Sequence, residues 1–280
     1  KKTLSGCTFE VVTVDDRPIP DHLGGLDSHK YWAMTALLNS QYAQRWTYTY
    51  NYVVLNTSAM PQYHPTWGKV FYIAERLRQL KDSGRCRWFL FLDSDAFVRE
   101  TDLPLPRFLA DIGRRYRIRS DIGAIFAREQ DPDPEGDGLG KYMRKYKPAA
   151  PWLNAGVFLV QSSEKGRLLF DTWEAAGRTS EPFFKTTWPG EMAVVTELID
   201  PGLYPSARVP EMAVPHVNKT VAAVDMVVMN SPWGRFILHA WSYHDYYRQN
   251  VFWDALARVR YDNPKALTRQ LGILNNRRAM

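Results

Sequence analysis

Residues 87–100 read RWFLFLDSDAFVRE. Five apolar residues, Trp88 to Leu92, run without a polar break into Asp93 and Asp95, which flank Ser94. Such a run predicts a strand buried on both faces, the kind found in the middle of a parallel sheet. Carboxylates are rarely buried without a partner, so the stretch raises a chemical question as well. With strand alternation the two acids point to the same side, where they repel unless a proton or a cation intervenes. Ligands of parallel α/β sheets bind beyond the carboxyl ends of the strands. A hard divalent ion shared between carboxylates and the phosphates of a nucleotide resolves the repulsion, and it acts as a Lewis acid on a departing phosphate.

The segments before this strand set its context. TFEVVTVDD (8–16) reads as a strand ending in two acids, and SHKYWAMTALLNSQYAQRW (28–46) as a helix with Ser28 as N-cap. YTYNYVVLN (48–56) reads as a second strand. A helix follows from Trp67 to Asp82, with Val70, Ile73, Ala74, Leu77 and Leu80 near helical spacing and Gly84 beyond its end. Strand, helix, strand, helix, strand is a Rossmann-like half built from parallel crossovers.

Downstream, LPLPRFLADIG predicts a short helix, DIGAIFA (121–127) a strand and LNAGVFLVQ (153–161) another. The next helix carries Leu168, Leu169, Thr172, Trp173 and Ala176 on one face, GEMAVVTELI (190–199) is a further helix, and RFILHAW (235–241) a late strand. Residues 128–151 are rich in Pro, Gly and charge, and form either a lid or a plain mobile loop. The tail from Val251 is basic and amphipathic. With no repeat and no clear linker, the 280 residues read as one α/β domain.

Composition narrows the classes. The chain is 45% hydrophobic and 24% charged, enough for a real core, and its 14% aromatic content suits an aromatic-lined cleft. The net charge of +6 favours an anionic ligand only weakly. The densest basic cluster, GRRYRIRS (113–120), reads as a solvated helix end, and no zinc finger or RNP signature accompanies it, so nucleic acid is not expected as a partner. No apolar run spans a membrane. The start, KKTLSGC, resembles neither a signal peptide nor an initiator Met, which suggests a removed N-terminal anchor or targeting segment. Cys7 and Cys86 read first as two free thiols; they would bridge if the strands that follow them are parallel neighbours. Asn56-Thr-Ser and Asn218-Lys-Thr are glycosylation sequons.

Taken alone, the acidic motif fits three classes. One is a metal site for a nucleotide. A second is a phosphatase of the haloacid-dehalogenase type with Asp93 as nucleophile, although Phe97 stands where that family carries Thr or Val. A third is a turn cap in a non-catalytic sugar-binding or structural protein.

An ordered set of further matches favours the first. HPTWGKVFYI (64–73), FLDSDAFVRETDLPLPRF (91–108), WLNAGVFLVQSSEKGRLLFDTWEAAG (152–177) and FILHAW (236–241) resemble, in this order, the blocks of GT-A fold nucleotide-sugar glycosyltransferases. The resemblance is greatest to the GMA12/MNN10 galactosyl- and xylosyltransferases and more distant to the glycogenin type. It implies an α/β GT-A fold, with a mixed, mostly parallel central sheet flanked by helices. The nucleotide-binding half would span about 8–127 and the acceptor and metal half about 152–242, with a helical tail over 243–280.

The implied activity is transfer of a hexose or pentose from a nucleotide diphosphate sugar, UDP favoured, to a hydroxyl of a glycan or glycoprotein. The resemblance makes Asp93 and Asp95 ligands of Mn²⁺ or Mg²⁺ and His239 the remaining protein ligand, with His244 a spare and His216 less suited. Lys69 stands where the family places a cation near phosphate or sugar. Thr13, Val14, Asp15 and Asp16 would meet base and ribose, and Ser94 the donor. Asn154 would bond a sugar, Gly156 would allow close approach, and Trp152 either stacks on the acceptor or belongs to the core. One departure stands out: the family's Asp-Gln is Gly190-Glu191 here. Glu191 is then a general base, a nucleophile or stabiliser of an oxocarbenium-like species, or an acid favoured by a helix N-terminus. The family also suggests a Golgi-luminal enzyme, with a cytosolic one as the alternative.

Overall fold

The structure, a computed structural model, describes residues 6–20, 30–81, 83–129, 152–201, 218–230, 234–240, 248, 250–252, 254 and 255. Ser28, His216, His244, most of the loop expected over 128–151 and nearly all of the tail lie outside these residues.

Six strands form one sheet in the order β2-β1-β3-β6-β5-β7: β1 Thr8–Asp15, β2 Thr49–Val54, β3 Arg87–Leu92, β5 Ala124–Glu129, β6 Trp152–Gln161 and β7 Val221–Asp225. β1 runs parallel to β2 and β3, β6 is antiparallel to both β3 and β5, and β5 is parallel to β7. The sheet is thus mixed and mostly parallel, as expected. A second, two-stranded sheet pairs β4 (Ala96–Val98) with β8 (Ile237–His239). The helices are α1 Tyr31–Arg45, α2 Gly68–Gln79, α3 Leu105–Arg115, α4 Glu164–Thr179, α5 Pro182–Thr186, α6 Gly190–Ile199 and the single turn α7 Met226–Met229.

The alternation of β3 explains the layers. Trp88, Leu90 and Leu92 enter one core with the apolar faces of α1 and α3. Phe89 and Phe91 enter a second core with α2, α4 and α6. Full burial of such side chains stabilises by about 1.5–3 kcal/mol each, so this strand is a stiff support for whatever follows it. Phe91 stacks on Phe158 of β6 at 4.8 Å, which ties β3 to its antiparallel neighbour. Trp67 and Trp173 are fully buried between α2, α4 and the 180s segment, their indole N–H groups donating to Phe184 O and Glu191 O.

Several local expectations need correction. α1 begins at Tyr31 after Lys30, which makes no side-chain cap bond. α2 starts at Gly68, because a 3₁₀ turn over Pro65–Trp67 precedes it, and it ends at Gln79 with Leu80 as C-cap. In α4, Leu168 is exposed, and Gly166, Phe170 and Gly177 join Leu169, Trp173 and Ala176 on the buried face. The basic cluster 113–120 is the end of α3 and the turn after it, with Arg114 paired to Asp111 and Arg119 to Asp121.

Cys7 and Cys86 are joined by a disulfide, and are not the two free thiols the sequence suggested first. The register accounts for it. Thr8 pairs with Arg87 across parallel β1 and β3, so the residues just before them meet, with Cα atoms 4.5 Å apart. The bond closes a loop of 79 residues at the sheet edge opposite the acids. Cys86→Ser is expected to lower stability by about 2–4 kcal/mol, a drop of roughly 5–15 °C in Tm. A melting curve with and without reductant measures this.

Candidate active site

Because β6 is antiparallel to β3, its first residues lie beside the carboxyl end of β3, with Leu92 paired to Val157. Asp93, Ser94 and Asp95 are not a continuation of the strand. They form a turn between β3 and β4 closed by Ala96 N–H donating to Asp93 O at 2.9 Å. The two acids therefore converge through turn geometry and not through strand alternation. Three segments hold the turn's backbone. Asp93 N donates to Gly156 O, Thr35 Oγ1 to Ser94 O at 2.6 Å, and Ala240 N to Asp95 O. Asn39 of α1, buried, donates to Ala96 O and accepts from Val98 N.

Pairing of β4 with β8 puts Ala96 opposite His239 and so carries the imidazole to the acids. His239 Nε2 lies 2.9 Å from Asp95 Oδ1. Its Nδ1 lies 2.5 Å from the side-chain amide oxygen Oδ1 of Asn230, an acceptor that places the ring proton on Nδ1 and leaves the Nε2 lone pair toward the acids. One ligand atom from each of Asp93, Asp95 and His239 falls within 4.8 Å of the others. Gly156 lies under this group: a Cβ there would stand 2.2 Å from His239 Cε1 and 2.8 Å from Asp93 Oδ2. Two carboxylates and an imidazole around a bare backbone fit Mn²⁺ or Mg²⁺.

Lys69 and Glu191 lie behind Asp93. The Lys69 ammonium is 3% exposed and reaches Asp93 Oδ1 at 3.2 Å, Ala155 O at 3.1 Å and Glu191 Oε1 at 3.3 Å. Burial works against its charge, but Asp93 and Glu191 outweigh that and raise its pKa. Glu191, at the first turn of α6, is 1% exposed and accepts from Thr66 Oγ1 at 2.8 Å through Oε2.

Burial pushes the Asp93 carboxyl up to about 6, against the pull of Lys69 and His239. Its side chain is 31% exposed, so water offsets part of that desolvation. Asp95 is also pushed up by burial, yet His239 and Arg248 win and hold it at about 2. The two acids of the motif are thus driven apart, Asp95 being the firmly ionised one.

At the end of β1, Thr13 is buried with its hydroxyl toward Tyr50 OH, and Val14 is half-buried beside the α2 core. Asp15 spends both carboxylate oxygens on Arg17, at 2.7 and 2.8 Å on Oδ1 and 2.6 Å on Oδ2. Arg17 in turn donates to Tyr31 OH and to Ser94 Oγ and lies over the Tyr31 and Trp32 rings at 4.9 and 4.6 Å. Arg248 approaches from the C-terminal side, over the same Tyr31 ring at 5.4 Å, with Nη2 3.2 Å from Asp95 Oδ2. Arg17, Arg248, Asn230, Thr35 and Asn39 escaped the sequence reading. Only Arg17 left a trace there, as the cation directly after two acids. Asn154 accepts from Gly156 N at 2.7 Å, which shapes the bend beside Asp93. The backbone of Trp152 begins β6, while its side chain is outside the described residues.

This architecture is that of a glycosyltransferase. The chain is similar over 88% of its length to all but 1% of a solved structure, with a TM-score of 0.52 and 16% sequence identity. That structure is described as "Crystal structure of a glycosyltransferase involved in the glycosylation of the major capsid of PBCV-1". The likeness establishes the fold. No curated protein matches the chain significantly. The galactosyl transferase GMA12/MNN10 family matches residues 27–192, more than half of the 280 residues, and the chain belongs to that family. The match takes in Lys69, Asp93, Asp95, Asn154, Gly156 and Glu191 and stops before His239.

Gly156→Ala is the direct test of the crowding at this site. The added methyl must displace the imidazole or the Asp93 carboxylate, so glycosyl transfer is expected to fall by about 10²-fold or more while far-UV circular dichroism stays that of the native sheet. Wild-type activity in this variant would show that the ring and the carboxylate do not need their present positions.

Proposed function

We propose that the chain is a divalent-cation-dependent glycosyltransferase that uses a nucleotide diphosphate sugar, UDP before GDP, and a hydroxyl of a glycan or glycoprotein. The convergence of Asp93, Asp95 and His239 over Gly156 carries this reading. Charge balance supports it. Asp15, Asp93, Asp95 and Glu191 bring four negative charges, against three positive ones on Arg17, Lys69 and Arg248. A divalent cation turns this deficit into the surplus that a diphosphate needs.

Asp93, Asp95 and His239 would hold Mn²⁺ or Mg²⁺, which supplies Lewis-acid stabilisation of the diphosphate leaving group when bound. The protein's own residues do the rest. Asn230 keeps the His239 lone pair aimed inward. Arg17 presents its guanidinium, 34% exposed, beside Ser94 and serves the nucleotide in place of Asp15, whose oxygens it occupies. Arg248 adds charge on the Asp95 side. Asn154, its oxygen engaged by Gly156 N, offers its amide N–H groups to sugar hydroxyls. In the transfer, the anomeric carbon exchanges its bond to the diphosphate oxygen for one to the acceptor oxygen. The nucleoside diphosphate leaves and the hydroxyl proton is released. The Cys7–Cys86 disulfide favours an oxidising compartment such as the Golgi lumen.

A panel of nucleotide sugars assayed for release of nucleoside diphosphate, with Mn²⁺, Mg²⁺ or EDTA, tests the proposal. One donor is expected to turn over, EDTA to abolish turnover, and Asp93→Asn or Asp95→Asn to lower it by on the order of 10³-fold. Undiminished turnover of both variants in EDTA would refute the metal site. Release of inorganic phosphate from a phosphomonoester would point to the phosphatase reading instead.

A further inference from the structure

We infer that Glu191 and Lys69 are positioning residues for the cation site. Neither is then the proton acceptor or nucleophile, nor the sugar and phosphate contact, that their sequence positions suggest. The inference rests on the metal-dependent reading above and adds to it which oxygen of Asp93 is offered and what keeps it there.

Lys69 Nζ donates to Asp93 Oδ1 at 3.2 Å and to Ala155 O at 3.1 Å, and stands 3.3 Å from Glu191 Oε1 as an ion pair. With its side chain 3% exposed and the Phe91 ring 5.4 Å from Nζ, it is closed off from a substrate. Glu191 is as confined. One oxygen takes the Thr66 hydroxyl, the other faces Lys69, and the side chain is 1% exposed. A group that removes a proton from an acceptor, or attacks an anomeric carbon, must touch it. Glu191 is instead separated from the Asp93 carboxylate by the ammonium itself. The chain Thr66–Glu191–Lys69–Asp93 occupies Oδ1 of Asp93 and leaves Oδ2, the oxygen next to the Gly156 Cα–H and the His239 ring, for the cation.

The pairing also sets charge. Glu191 neutralises Lys69 from behind, so the ammonium holds Asp93 in place without cancelling its attraction for a cation. Removing the Glu191 charge leaves Lys69 answered by Asp93 alone, and cation binding weakens. This accounts for an acid at 191 buried in a place where an acceptor hydroxyl has no path.

The test is Glu191→Gln in the intact protein, read by Mn²⁺ titration in a calorimeter and by the Mn²⁺ concentration that gives half-maximal turnover. Both constants are expected to shift about tenfold toward weaker binding, as expected for loss of one charge a few ångströms behind a ligand. Thr66→Val, which keeps the charge but frees one oxygen of Glu191, is expected to shift them about two- to threefold in the same direction and serves if Glu191→Gln does not fold. Metal constants equal to wild type in both variants, with turnover of Glu191→Gln down by about 10³-fold, would identify a general base or nucleophile and overturn the inference. Asp95→Asn is the control: if it binds Mn²⁺ like wild type, the failure belongs to the proposed metal site and not to the role of Glu191.

Discussion

Asp93 and Asp95 come within two residues of each other at the end of a strand buried on both faces, and the arrangement of the whole site follows from the need to keep both carboxylates charged there. A buried carboxylate without a partner is costly by several kcal/mol. Each acid therefore has its own partner: the Lys69 ammonium for Asp93, and the Arg248 guanidinium with the His239 imidazole for Asp95. Those partners are themselves anchored, Lys69 by Glu191 and Ala155, His239 by Asn230, and Arg248 by Ala240 O. The result is a rigid turn whose unspent oxygens point toward one place. Preorganisation of this kind keeps reorganisation out of the reaction itself.

The backbone contributes as much as the charges. Helix α1 supplies Thr35 and Asn39 to the turn, β6 supplies Gly156, and Ala240 follows directly on β8, so three chain segments far apart in sequence meet on six residues. The antiparallel strand β6 is essential to this. Its reversed direction brings the Asn154–Gly156 bend to the same sheet edge as the ends of β1 and β3. The disulfide pins β1 to β3 at the other edge, which fixes their relative register without intruding on the site.

Much of this could be read from sequence, for physical reasons. β3, β6 and the helix 190–199 stood out because long apolar runs and punctuating residues bound them. The acids stood out because they end such a run. The ordered blocks around Lys69, Asp93, Asn154 and His239 indicated the family, and residues 27–192 belong to it. What was not legible depends on pairings across the chain. Arg17 follows two acids with no pattern of its own, and only the fold shows that it takes both oxygens of Asp15 and reaches Ser94. Arg248, Asn230 and Thr35 carry no local pattern at all. Strand alternation gave the right outcome for Asp93 and Asp95 by the wrong route, since a turn and not a strand brings them together. The disulfide needed knowledge of which strands are neighbours, and Leu168 needed knowledge of how α4 is rotated.

The central claim is that Asp93, Asp95 and His239 form a cation site completed by a nucleoside diphosphate. Its most direct test is Mn²⁺ binding followed by electron paramagnetic resonance, for the wild type and His239→Ala, with and without UDP. The account predicts one Mn²⁺ per chain, tighter in the presence of the diphosphate, and a large loss of both effects in His239→Ala. Wild-type protein that binds no Mn²⁺, or binds it equally well after loss of the imidazole and regardless of UDP, would contradict it.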